Sequence, residues 1–235
     1  MKIVSLNAER ENHLDTVREF LCGELPGVFC VQEILKSTFD MLCAEENLRG
    51  YFAPMTSLAD DGSADRQQGV AILTDQPCFL REIQYYENFT EDYPAMAGRN
   101  DRPRVVLLTV GVGAGDDALT VATTHFTWTP DGKASDEQRV NLESLLELID
   151  TYPSLVLCGD FNAPRGGEIH QKLSQKLRDT VPLDIKSTLD PEKHRCWNPF
   201  VVDGIFVTPD LLAHETSVVS GVSDHCALVL DVSRK

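Results

Sequence analysis

The chain reads as an α/β protein in which two packed β-sheets are covered on the outside by helices. Three observations predict this. Short apolar runs bounded by turn residues recur along the sequence, at residues 3–6, 28–31, 69–74, 105–110, 119–124, 155–158, 204–207 and 227–232. Amphipathic helical patterns separate some of these runs but not others, which a simple strand-helix alternation would not produce. The 235 residues, 42% of them apolar, contain no repeat, low-complexity tract or linker, so one domain spanning 1–235 is expected.

Residues 3–6 form the first strand. A helix is predicted over 12–22, with Leu14, Val17, Phe20 and Leu21 on one face and Gly23 as its stop. The strand at 28–31 ends in Gln32-Glu33. Ser37-Thr38-Phe39-Asp40 has the pattern of a capped helix start, and Gly50 is expected to close that segment. The strands at 105–110 and 119–124 flank the glycine-rich stretch 111–117, a hairpin connection without the strand-to-helix context of a dinucleotide fingerprint. Ser135-Asp136-Glu137-Gln138 is a capping box opening a long helix that buries Leu142, Leu145, Leu146 and Ile149. The segment 60–65 lacks the closing glutamate of a calcium loop and reads as an exposed turn.

Composition narrows the class of function. A formal net charge of −16 disfavours indiscriminate binding to a nucleic-acid backbone, although a divalent cation and a few arginines can reverse the sign locally. The seven cysteines form no Cys-x-x-Cys pair, and Cys30, Cys158 and Cys226 lie in apolar runs, as buried reduced thiols do. No apolar run approaches the roughly 20 residues that span a bilayer, and the N-terminal segment turns polar too soon for a signal peptide. A cytoplasmic location is expected, and no protein partner is implied.

Polar residues recur where the apolar runs stop. Asn7, Glu33, His125, Asp160 with Asn162, and Asp224 with His225 stand at or just past run ends, and Asp203 stands at the start of one. Asp160 and Asn162, a carboxylate and an amide at i and i+2, are expected to share one strand face and point into one pocket. Carboxylates, an amide and imidazoles are the parts that metal-assisted attack on a phosphate needs.

These segments resemble the endonuclease/exonuclease/phosphatase superfamily. The matching residues are Ser5-Leu6-Asn7, Val31-Gln32-Glu33, the strand 69–73, Thr123-Thr124-His125-Phe126, Gly159-Asp160-Phe161-Asn162, Val202-Asp203-Gly204 and Ser223-Asp224-His225, in family order over the whole chain. The resemblance implies a four-layer α/β sandwich and Mg²⁺- or Mn²⁺-dependent phosphoester hydrolysis. Where the family usually has Asn-x-Asn or Asn-x-Asp, this chain has Asn7-Ala8-Glu9. His125 stands where some relatives carry tyrosine, which favours a deoxyribonuclease, phosphatase or sphingomyelinase style of site.

The roles implied are these. Glu33 is the principal metal ligand, Asn7 holds the metal or a phosphate oxygen, and Asp224 touches the metal or steadies His125. Asp160 is the general base and Asn162 positions the water or a phosphate oxygen. His225, steadied by Asp203, and His125 donate to phosphate oxygens. Trp128 and Trp197 are candidates to contact substrate, and Arg99, Arg102 and Arg104 to clamp a further phosphate. Each has a plain alternative: a solvent-facing glutamate, an Asx turn, a core tryptophan, a solvated charge run. His13, His170, His194 and His214 are read as structural. The expected activity is phosphodiester cleavage, on nucleic-acid ends or a small phosphorylated molecule. The alternatives are a phosphomonoesterase acting on a small metabolite or inositol phosphate, and a non-catalytic binding module.

Overall fold

The computed structural model describes residues 1–58, 66–86, 105–114, 118–195, 199–214 and 216–235. Its first half builds one sheet from β1 (Lys2–Asn7), β2 (Val28–Leu35), β3 (Arg49–Ser57) and β4 (Gln67–Thr74), with α1 (Leu14–Gly23) and α2 (Lys36–Glu45) between strands. The second sheet comprises β5 (Cys78–Tyr85), β6 (Val106–Val112), β7 (Leu119–His125), β8 (Leu155–Asp160), β9 (Arg178–Asp179) and β10 (Asp203–Val207), with α3 (Asp136–Ile149) and α4 (Glu168–Ser174). The chain then returns to the first sheet through β11 (Leu211–Ala213), β12 (Ser217–Val219) and β13 (Ala227–Arg234).

The first sheet runs β11-β13-β1-β2-β4-β3, with β12 also on β13, and the second runs β5-β6-β7-β8-β10-β9. Each centres on a parallel pair, β1 with β2 and β7 with β8, in otherwise antiparallel surroundings. Alternate residues of the central strands serve different layers. Val28 and Cys30 of β2, with Val156 and Cys158 of β8, pack in the core between the sheets. Phe29 and Val31 face the α1 and α2 side with Val17, Leu21 and Leu42. Leu155 and Leu157 pack against Leu142, Leu145 and Ile149 of α3 and Ile169 and Leu173 of α4. Burial on both faces is why these strands read as unbroken apolar runs. The result is a four-layer α/β sandwich with two mixed sheets, as expected.

Three local readings need correction. Gly50 does not close α2. The turn falls at Asn47, with φ +52°, while Gly50 lies inside β3, where a Cβ would stand 2.0 Å from the Ile72 carbonyl oxygen. The α2 N-terminus carries no side-chain cap; Leu35 occupies the cap position and Thr38 is buried instead. In α3 the Ser135 hydroxyl accepts the Gln138 amide as predicted, but the Gln138 side chain reaches the Thr127 carbonyl (2.6 Å) rather than back to Ser135.

Candidate active site

Strand ends place the site. Asn7, the last residue of β1, pairs with Gln32 of β2. In the second sheet Asp160 sits between His125 on β7 and Asp203 on β10. The two sheets bring these ends face to face. The Asn7 amide crosses the gap to donate to Asp160 Oδ2 (3.1 Å) and to Glu33 Oε1 (3.3 Å). Gln32 makes a second crossing, to Thr123 Oγ1 (2.9 Å).

Glu33 leaves the regular ladder. The β2–β4 register shifts between Val31 and Ile34, and Glu33 takes φ +53° within that bulge. A bulge re-aims a side chain, and a left-handed non-glycine residue is strain that recurs at functional sites. Its carboxylate accepts Gln68 Nε2 (2.9 Å) and lies 3.8 Å from both Arg10 Nε and His125 Nε2.

Asp160 is the hub. Its Oδ2 lies 3.5 Å from His125 Nε2 and 3.9 Å from His225 Nε2, and its Oδ1 accepts the Asn162 amide (2.9 Å). Asn162 does not share a strand face with Asp160. Strand β8 ends at Asp160 and Asn162 turns left-handed, with φ +49°. The turn and the site thus use the same pair of residues. The Asn162 side chain is fixed by donating to the Phe126 carbonyl (2.8 Å).

His225 Nδ1 bonds to Asp203 at 2.9 and 3.1 Å, and both residues are buried. Burial works to lower the His225 pKa. The Asp203 charge, the hydrogen bond to it, Asp160 and Asp224 outweigh burial and push it up to about 10. Burial raises the Asp203 pKa, with Asp160 adding to the rise and His225 opposing it. A cationic imidazole directed at Asp160 can donate to an anionic substrate oxygen.

Asp224 stands beside His225 and His194, with ligand atoms of the three within 4.8 Å of one another. Its carboxyl is pushed up by burial first and then by the Glu9 and Glu33 charges, against the pull of His225 and His194. Glu9, His13 and Asp224 offer ligand atoms within 4.8 Å of one another. Two carboxylates and an imidazole this close are donors a divalent cation takes, so the residues present fit a metal ion.

Asn7, Glu33, His125, Asp160, Asn162, Asp203, Asp224 and His225 therefore gather at one place. Trp128, 68% exposed on the loop after β7, is not packed into that cluster but lines a pocket that Asn162 and His225 also line. Arg99, Arg102, Arg104, Trp197 and the segment 60–65 lie outside the described residues. Sequence reasoning missed Gln68, His13 and His194, and singled out Glu9 without giving it a role. Gln68 holds Glu33. Glu9 and His13 stand beside Asp224, with His13 Nε2 3.0 Å from Glu9. His194 lies edge-on to His225, their ring centroids 5.8 Å apart. His13, in the turn ahead of α1, and His194, brought in by a loop, left no local signal.

The chain belongs to the Endonuclease/Exonuclease/phosphatase family, whose model matches residues 4–225. No curated protein matches the sequence at a significant level. Among solved structures it is similar to the human Nocturnin catalytic domain with bound sulfate anion, at 19% identity and TM-score 0.72, covering 100% of this chain and 93% of that one. A mannosyl-6-phosphatase, Bt3783, from Bacteroides thetaiotaomicron VPI-5482 is similar at 15% identity and TM-score 0.68, with 99% of each chain covered. An endonuclease/exonuclease/phosphatase from Bacteroides vulgatus follows at 16% identity and TM-score 0.71, covering 100% and 98%. At these identities the likenesses speak to the fold alone. The family assignment makes the chain a hydrolase of the phosphoesterase superfamily. Among the described residues no helix is long and apolar enough to cross a membrane.

Proposed function

We propose that this protein is a Mg²⁺- or Mn²⁺-dependent phosphodiesterase that cleaves its substrate by in-line attack of water. The observation that carries the reading is the convergence on Asp160: one carboxylate within 4 Å of an amide and two imidazoles, with Glu33 sharing the same Asn7 donor. Glu33, Asn7 and Asp224 would hold the cation, which supplies charge neutralisation at the phosphoryl oxygens when bound. Asp160 Oδ2 orients the water and accepts its proton. Cationic His225, held by Asp203, and His125 donate to the oxygens on which negative charge develops. Asn162 fixes the position of the water or of a non-bridging oxygen, its own orientation set by the Phe126 carbonyl.

The test is hydrolysis of bis(p-nitrophenyl) phosphate with Mg²⁺ or Mn²⁺, before and after chelation, by wild type and Asp160→Asn. Asparagine keeps an oxygen for the Asn162 amide, so the fold should persist while turnover falls by about 10²–10⁴-fold. Full activity in that variant refutes the assignment of Asp160 as the base.

A further inference from the structure

Asp224 and His225 meet a third metal-competent side chain, His194, that the proposed reaction does not use. The three offer ligand atoms within 4.8 Å of one another. The His194 and His225 rings meet edge-on, their centroids 5.8 Å apart at an interplanar angle of 78°. The loop carrying His194 is tied to the segment carrying the other two. The Asp190 amide donates to the Asp224 carbonyl (2.8 Å), the Gly221 amide to Asp190 Oδ2 (2.6 Å), and Lys193 Nζ to the Gly221 carbonyl (2.7 Å). Leu189 pairs with His225 in a β-bridge, and the Cys226 amide donates to the Thr188 carbonyl (2.7 Å). Asp190 Oδ1 accepts the Glu192 and Lys193 amides, and its carbonyl accepts the His194 amide (3.0 Å), which fixes the turn that delivers His194. Ligands from two segments are thus set in place before any ion arrives.

The donor set says which ion fits. Two imidazoles and one carboxylate are ligands of a borderline ion such as Zn²⁺, whereas Mg²⁺ takes hard oxygens. His225 Nδ1 is already bonded to Asp203 (2.9 Å), which leaves Nε2 as the ligand atom. A carboxylate behind the ring in this way is how metal-binding imidazoles are oriented. The ion has a way in, because His194 and His225 both line a pocket of about 320 Å³. The other set that includes Asp224, with Glu9 and His13, has two carboxylates to one imidazole, and its His13 Nε2 lies 3.0 Å from Glu9. It is the more oxygen-rich of the two and suits a harder ion.

We propose that His194, Asp224 and His225 form a binding site for Zn²⁺, or for a divalent ion of similar softness, and that its occupancy switches hydrolysis off. Zinc takes Nε2 of His225 and the proton there leaves to solvent, so the imidazole keeps no N–H to give a phosphate oxygen. It also draws Asp224 away from the cation that serves the reaction. Three protein ligands leave a fourth position to water. The inhibitory half of the proposal rests on the phosphodiesterase reading above; the binding half does not.

The experiment titrates Zn²⁺ by calorimetry into wild type, His194→Gln and His13→Gln, each in excess Mg²⁺, and follows bis(p-nitrophenyl) phosphate hydrolysis over the same zinc range. Wild type should bind Zn²⁺ and lose activity as it does. Removing a direct ligand should cost no less than the ~10–100-fold in affinity that loss of a merely orienting partner costs, so His194→Gln should bind zinc at least about tenfold more weakly and need correspondingly more of it for half-inhibition. His13→Gln should bind zinc as wild type does. No zinc binding by wild type, equal affinity in wild type and His194→Gln, or a loss confined to His13→Gln overturns the site. Zinc that binds through His194 without slowing wild type overturns the switch. Failure of the phosphodiesterase reading shows separately, as absent hydrolysis with Mg²⁺ alone; it overturns the switch but not the site, which the calorimetry decides.

Discussion

Replacing Asp203 by asparagine should cripple the enzyme in a way that depends on pH. Asp203 accepts from His225 Nδ1 at 2.9 Å, is 4% exposed, and is the first of the charges holding the imidazole pKa at about 10. Without it, burial opposes the cation and the remaining carboxylates support it, leaving the pKa near an ordinary ~6.5. At pH 8 the cationic fraction would then fall from about 0.99 to about 0.03, a loss of roughly 30-fold, whereas at pH 6 it falls only to about 0.8. A further loss, from imperfect placement of the ring, applies equally at both values. The assay is kcat/KM on bis(p-nitrophenyl) phosphate at saturating Mg²⁺ from pH 5.5 to 9, expressed as the ratio of variant to wild type so that water deprotonation cancels. The ratio should drop by about an order of magnitude or more between pH 6 and pH 8. A ratio flat across that range would refute the claim that Asp203 acts by keeping His225 charged.

Three further outcomes follow from the same geometry. Gln68→Ala removes the 2.9 Å donor to Glu33 without touching substrate, and should raise the Mg²⁺ or Mn²⁺ concentration for half-maximal activity by about tenfold, measured by metal titration. Stability should also depend on pH through His225. Its folded pKa lies above the unfolded value of ~6.5, so its contribution is complete below about pH 6.5 and is lost as pH rises through about 10; urea midpoints across that window should fall in wild type and flatten in His225→Gln. Leu145→Ala deletes a fully buried side chain between α3 and the second sheet and should cost about 2–5 kcal/mol in denaturant unfolding.

How legible each feature was in the sequence follows from what buries it. The central strands announced themselves because both their faces are covered, which leaves an apolar run no solvent face can interrupt. Strand β3 escaped because it lies at a sheet edge and carries Pro54 next to a register shift, chemistry that edge strands tolerate and central ones do not. Strand β5 is likewise an edge, with Phe79, Leu80 and Arg81 exposed. The residues proposed to carry the chemistry were readable because they punctuate apolar runs. Gln68, His13 and His194 were not, because their partners Glu33, Asp224 and His225 lie 35, 211 and 31 positions away and no local pattern encodes such pairings. The pairing of Asp160 with Asn162 was expected from strand periodicity; the backbone achieves it by a left-handed turn, which a period of two does not describe.

The two-sheet architecture explains why the site can be both rigid and charged. Asn7 and Glu33 belong to one sheet, His125, Asp160 and Asp203 to the other, and the Asn7 amide bridges Glu33 and Asp160 across the gap. Each carboxylate is thus held by a scaffold that does not depend on the cation, so the like charges need not splay apart in its absence. Burial first, and the Glu9 and Glu33 charges after it, raise the Asp224 pKa, and Glu9, Arg10 and Glu33 take positive φ angles. A chain of net charge −16 that also concentrates acid at its active site repels a long polyanion along most of its surface.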